Sequence, residues 1–246
     1  METSLHIDTL LPPVFFAGVF LLGAFIRLPQ AIAHHRRSVM SFSGGVAVAY
    51  VFIRLMPELA VASDVFVQKT SHQELPFAEL RVHLAAMLGF MLFYGLEKLA
   101  TGIGKPDDEQ RRPAAQVVHV GGFGVYVWLV SYLGVRGIEE NAGDLTLYAV
   151  ALGCHFLATD HALRREYGQA YDRRGRFVLA AAALAGWGVG ALLEMPAPFV
   201  ITLLGFVSGG VIMNSMLGEV PPERDGRFWS FAAGCVVYAG ILLMAR

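Results

Sequence analysis

Apolar residues run in long blocks along this chain, separated by short polar stretches. Each block extends for about 19–25 residues, enough to cross a hydrocarbon core of roughly 30 Å at 1.5 Å per residue. Eight blocks can be drawn, at about 13–33, 40–62, 82–101, 114–135, 145–163, 176–194, 198–219 and 227–245. The pattern predicts eight transmembrane helices and an all-α integral membrane protein. In lipid, only helices and closed barrels satisfy every backbone polar group. Pro113, Pro196 and Pro198 fall at or near block boundaries, where a missing N–H does little harm.

Composition agrees with the pattern. Of 246 residues, 55% are hydrophobic and 16% charged, against about 25% charged in a soluble domain. Mean hydropathy is +0.53. The net charge of −1 gives no reason to expect a nucleic-acid partner. Cys154 and Cys235 sit inside apolar blocks, form no motif and read as small core residues. The opening stretch, METSLHIDTLLPP, has no basic flank and does not read as a cleaved signal.

Lysine and arginine alternate between the connecting segments. One side collects Arg27, Arg36 and Arg37, then Lys98, Lys105, Arg111 and Arg112, then Arg164, Arg165, Arg173, Arg174 and Arg176, then Arg224 and Arg227. The other has Lys69, Arg81, Arg136 and Arg246. The basic side is expected to face the cytoplasm, which puts the chain in the cell or inner membrane with both termini outside. His34 and His35 join Arg36 and Arg37 on the basic side, where anionic head groups attract them.

One sixteen-residue pattern occurs twice. Residues 43–58 read SGGVAVAYVFIRLMPE and residues 208–223 read SGGVIMNSMLGEVPPE. The copies lie in spans two and seven, which cross the bilayer in opposite directions. Matched segments of opposite direction mark an inverted repeat. A 3+2+3 arrangement follows: a first repeat at 13–112, a two-span insert at 113–175 and a second repeat at 176–246.

Proline followed by glutamate inside a span carries chemistry. Pro57 donates no hydrogen bond to the carbonyl of Ile53, and Pro221 and Pro222 do the same to Leu217 and Gly218. A freed carbonyl beside Glu58 or Glu223 is a stopping place for a cation. Glu219 precedes Glu223 by four and shares its face; in span two the equivalent of Glu219 is Arg54, which can pair with Glu58. Against this stands a plain interfacial role, with charged heads snorkelling to water.

Several stretches resemble the ZIP (zinc/iron permease) family of divalent-metal transporters. GGVAVAYVFIRLMPELA at 44–60 is similar to its second span, GFMLFYGLEKLA at 89–100 to its third and SGGVIMNSMLGEVPPE to its seventh. The resemblance implies a membrane transporter of a zinc- or iron-type metal working by alternating access. That metal is cargo; no tightly bound cofactor and no catalytic residues are implied. The metal residues it implies are His119, His155, Glu219 and Glu223.

The departures from the family are specific. Span four reads HVGGFG at 119–124, with Val120 and Phe123 at polar ligand positions. Span five reads HFLATDH at 155–161, with Phe156 and Thr159 where ligands are expected and Ala158 for the usual proline. Arg54 replaces a histidine common in the family. The familiar two-metal cluster cannot be assembled from these side chains.

Depth brings the two histidines together. His119 lies about 9 Å inside Pro113 and His155 roughly 13 Å from Arg164, on the same side of the bilayer. Neighbouring antiparallel spans would let the imidazoles meet, and such a pair suits Zn²⁺, Cu²⁺ or Ni²⁺. A buried neutral histidine bonded to a carbonyl is the rival reading. Asp160, about 140° round the helix from His155, is expected to pair with Arg164. His161 reads as an interface residue.

Three functions remain. The first is a ZIP-like carrier. The second is a non-transporting protein of the same fold with a sensing, binding or interaction role, motivated by the aromatic substitutions. The third is an intramembrane metal-dependent hydrolase using His155, Asp160 and His161, whose helical angles diverge. The expected partners are the lipid bilayer and a divalent metal ion, with a homodimer left open.

Overall fold

A computed structural model describes residues 10–23, 36–71, 77–103, 112–136, 142–215 and 227–244. Among them there is no strand, and the helices form eight segments that fall on the eight expected blocks. In chain order they are α1 (Leu11–Leu22), α2 (Arg36–Tyr50) continued by α3 (Met56–Thr70), α4 (Arg81–Ile103), α5 (Arg112–Arg136), α6 (Ala142–Tyr167), α7 (Arg176–Leu192), α8 (Ala197–Asn214) and α9 (Phe228–Met244).

Five segments are long and apolar enough to cross a membrane: Gly44–Thr70, Ala78–Ala100, Pro113–Val135, Tyr171–Leu192 and Ala197–Asn214. Leu11–Leu22 and Phe228–Met244 are shorter apolar helices. The remaining segment, α6, is 26 residues long but carries Asp144, Asp160, Arg164, Arg165 and Glu166. Along α4, Leu84, Met87, Leu88, Met91 and Leu92 are exposed, and the apolar window of Ala78–Ala100 is only 22% buried. Water would penalise such a face, whereas acyl chains solvate it. The protein is a helical membrane protein.

Proline places the ends and one irregularity. Pro12 and Pro13 open α1 and Pro198 opens α8, where no intrahelical donor is required. Pro57 lies deeper. Its ring would crowd the carbonyl of residue 53 in a regular helix. The chain answers with a π-helical turn at Val51–Leu55, in which the Met56 N–H donates to the Val51 carbonyl.

The helices gather into two compact units. The first contains residues 1–26 and 93–194, hence α1, the second half of α4, α5, α6 and α7. The second contains residues 27–92 and 195–246, hence α2, α3, the first half of α4, α8 and α9. The expected insert, 113–175, lies wholly in the first unit, while both repeat segments are divided between units.

In the first unit, α5 packs along α7, with Gly186 seated on the backbone of Trp128. Helix α1 packs on α6 and α7. Phe16 and Phe20 are fully buried against Phe156, at centroid distances of 4.9 and 5.5 Å.

The second unit repeats one contact pattern. Between α2 and α9, a Cβ on Gly45 would strike the Phe231 carbonyl, a Cβ on Gly234 would strike the Phe42 carbonyl, and Ser41 Oγ accepts the Arg227 N–H at 3.0 Å. Between α8 and α4, Gly209 meets the Ala86 carbonyl in the same way, Gly89 meets that of Phe206, and Gly205 meets that of Val82. Positions 41, 42 and 45 lie 164 residues before 205, 206 and 209. Positions 82, 86 and 89 lie 145 before 227, 231 and 234. One helix pair therefore reproduces the backbone-to-backbone seats of the other. The glycine that makes the seat is Gly209, one place earlier than matching the letters of the two SGG motifs would put it.

Candidate functional site

His119 projects from α5 and is only 7% exposed. Its Nε2 lies 2.9 Å from Oε2 of Glu97, which α4 contributes to the same unit. Its Nδ1 lies 3.1 Å from the hydroxyl of Tyr167 and 3.6 Å from Oε2 of Glu166, both at the end of α6. The Tyr167 ring meets the imidazole edge-on at 5.9 Å, and Phe123 packs on it at 5.4 Å. In the neutral ring, Nε2–H donates to Glu97 and Nδ1 accepts from Tyr167. Burial, then the neighbouring Glu166 charge, pushes the Tyr167 phenol up, so it stays a neutral donor.

His155 is buried at 6% exposure on α6, with Tyr126 edge-on at 5.9 Å. Its carbonyl accepts the hydroxyl of Thr159 at 3.1 Å. His119 makes its close polar contacts with Glu97, Glu166 and Tyr167. Phe123 and Tyr126 link the two imidazoles as a chain of ring contacts, with successive centroid distances of 5.4, 6.4 and 5.9 Å from His119 to His155. Phe156 lies in the α1–α6 core and carries no polar atom toward either histidine.

Asp160 belongs to a separate cluster. It is 1% exposed and takes two bonds from Arg164 Nη2, at 3.0 and 2.9 Å, and one from the Tyr171 hydroxyl at 2.7 Å. Arg164 Nη1 also bonds Asp172. Gly23, just past α1, makes room for the Asp160 carboxylate, which a Cβ there would strike. The i, i+4 pairing expected from spacing thus forms, within a larger buried network. His161 is exposed.

In the second unit, Arg54 Nε lies 3.8 Å from Glu58 Oε2, across the π-helical turn. Glu219 and Glu223, with Pro221 and Pro222, lie outside the described residues. Among the described residues, no group of three or more His, Cys, Asp or Glu side chains is arranged to hold a metal ion.

Glu97, Glu166 and Tyr167 are the partners that sequence reasoning left unassigned. Glu97 carried a signal, since a carboxylate inside a membrane span is costly and ordinarily has a task. Glu166 and Tyr167 carried none, because their approach to His119 depends on how α6 lies against α5.

Compared with known proteins, the chain matches no family model and no curated protein sequence.

Proposed function

We propose that the chain is a ZIP-like membrane transporter of a divalent transition metal, of zinc or iron type, working by alternating access. The observation that carries this reading is the duplicated set of helix seats in the second unit. Spans two and seven run in opposite directions if all eight blocks cross, so equivalent seats on them fit the inverted 3+2+3 repeat expected from the sequence. Carriers use that architecture to present one site alternately to two sides. In this reading His119 and His155 would be successive stopping places for the ion, with Glu97 and Glu166 beside the first of them, and Glu219 and Glu223 would guide it out. Proteoliposomes loaded with a metal-sensing dye test the reading. Uptake of Zn²⁺, Fe²⁺, Mn²⁺, Co²⁺ or Ni²⁺ above empty vesicles supports it, and uptake of none of them overturns it.

The second reading is a non-transporting membrane protein of the same fold. Phe156 supports it: an aromatic ring built into the helix core stands where the family resemblance calls for a ligand. This reading expects His119→Ala and His155→Ala to leave any cellular phenotype intact. Loss of the phenotype in both variants, at normal expression, removes it.

A further inference from the structure

We infer that the turn leading into α7 and the start of that helix carry a binding site for one anionic phospholipid, with Arg173, Arg174 and Arg176 on its head group and Phe177, Val178 and Leu184 against an acyl chain. Five arginines lie between residues 164 and 176, but they do not have equal roles. Arg164 is consumed internally by Asp160 and Asp172. Arg173 and Arg174 are exposed; Arg173 reaches only Gln169, at 3.4 Å. Among the described residues, no carboxylate pairs with Arg173, Arg174 or Arg176. This leaves three cations within four positions unneutralised by any described carboxylate.

Helical spacing sets these charges over an apolar track. Phe177, Val178, Ala181 and Leu184 fall within one face of α7 at three- and four-residue spacings, and Arg174 precedes them in the π-helical turn Tyr171–Gly175 that leads into the helix. All five are exposed, with Phe177 at 50%, Val178 at 49% and Leu184 at 44%. They lie in Tyr171–Leu192, a segment long and apolar enough to span. The Arg176 guanidinium lies 4.7 Å above the Phe177 ring, and its Nε is buried with no hydrogen-bond partner among the described residues. That stacking fixes one cation at the level where the track begins. A planar donor fork suits a phosphodiester. A free phosphate ion would have no use for the apolar track, whereas a phospholipid presents both chemistries at this separation.

Native mass spectrometry of the full chain, released from nanodiscs of phosphatidylglycerol or of phosphatidylcholine, tests the site. Phosphatidylglycerol should stay bound where phosphatidylcholine does not. R173Q/R174Q should weaken that retention, by roughly five-fold for each arginine removed. R165Q, a nearby charge off this track, should leave it unchanged. R174Q alone, checked for a monodisperse elution profile, serves if the double variant misfolds. Equal retention of both lipids overturns the proposal, as does retention unchanged in R173Q/R174Q or R174Q. A loss in R165Q as large as that in R174Q would show a general surface charge and overturn it too. Competition by millimolar inorganic phosphate as effective as by lipid would mark a plain anion site and equally overturn the lipid assignment.

Discussion

Nε2 of His119 lies 2.9 Å from Oε2 of Glu97, joining α5 to α4 through an imidazole that is almost wholly buried. The pair makes a coupling that can be measured. A double-mutant cycle with His119→Gln and Glu97→Gln should return an interaction of about 0.5–3 kcal/mol, the range for residues in one hydrogen-bond network. The readout is chemical denaturation in detergent micelles. Additive single effects would mean that the contact holds nothing together.

The Asp160 network should be the more sensitive one. Asp160→Asn leaves Arg164 buried in part without its main counter-charge, which typically costs about 3–5 kcal/mol. Tyr171→Phe removes one hydrogen bond to that carboxylate, worth about 1.5–3 kcal/mol for a charged acceptor. Thermal unfolding should therefore rank wild type above Tyr171→Phe, and that above Asp160→Asn.

Glycine substitutions separate seats from open faces. Gly45→Ala and Gly209→Ala each force a Cβ onto a backbone carbonyl that cannot swing aside. Overpacking of that kind costs about 1–3 kcal/mol, and the two losses should be alike because the seats are equivalent. Gly121 meets nothing within 4 Å at its Cβ position. Gly121→Ala should stabilise α5 by about 0.8–1.0 kcal/mol through helix propensity. Melting curves of the three variants give the comparison directly.

The Tyr167 phenol supplies a pH dependence. Its native proton affinity is raised by burial first and Glu166 second. Above about pH 10, where an unfolded phenol releases its proton, the native one still holds on. Folding is then opposed as pH rises through that range, since the native state binds more protons than the unfolded. Stability should fall more steeply above about pH 10 in wild type than in Tyr167→Phe. The tyrosinate difference spectrum between them should develop only beyond the ordinary phenol range.

The fold was legible in the sequence to the degree that lipid made it so. Bilayer thickness imposes one block length, and α4, α5 and α9 end within two or three residues of their blocks. The site was legible only in part. His119 and His155 stand out by composition, as imidazoles in apolar helices. Their partners do not, since depth along a helix says nothing of azimuth: the rings of Phe123 and Tyr126 pack against the two imidazoles. The repeated SGG motif points to spans two and seven, but the seat falls on Gly209 because helix phase against Ala86, not identity of letters, decides which glycine faces a neighbour. Asp160 and Arg164 pair as their spacing requires, whereas Tyr171 and Asp172 come from beyond a turn that spacing does not encode.

The wide turn before Pro57 holds one residue more than a regular helix would use. Everything beyond it is swung by about 100° from where an uninterrupted rod would carry it. The bearing of Glu58 relative to Gly45 is therefore a setting, dialled by a single surplus peptide unit. Removing one residue from 51–55 would rotate the acidic end of that rod away from its present outlook while leaving the glycine seat untouched.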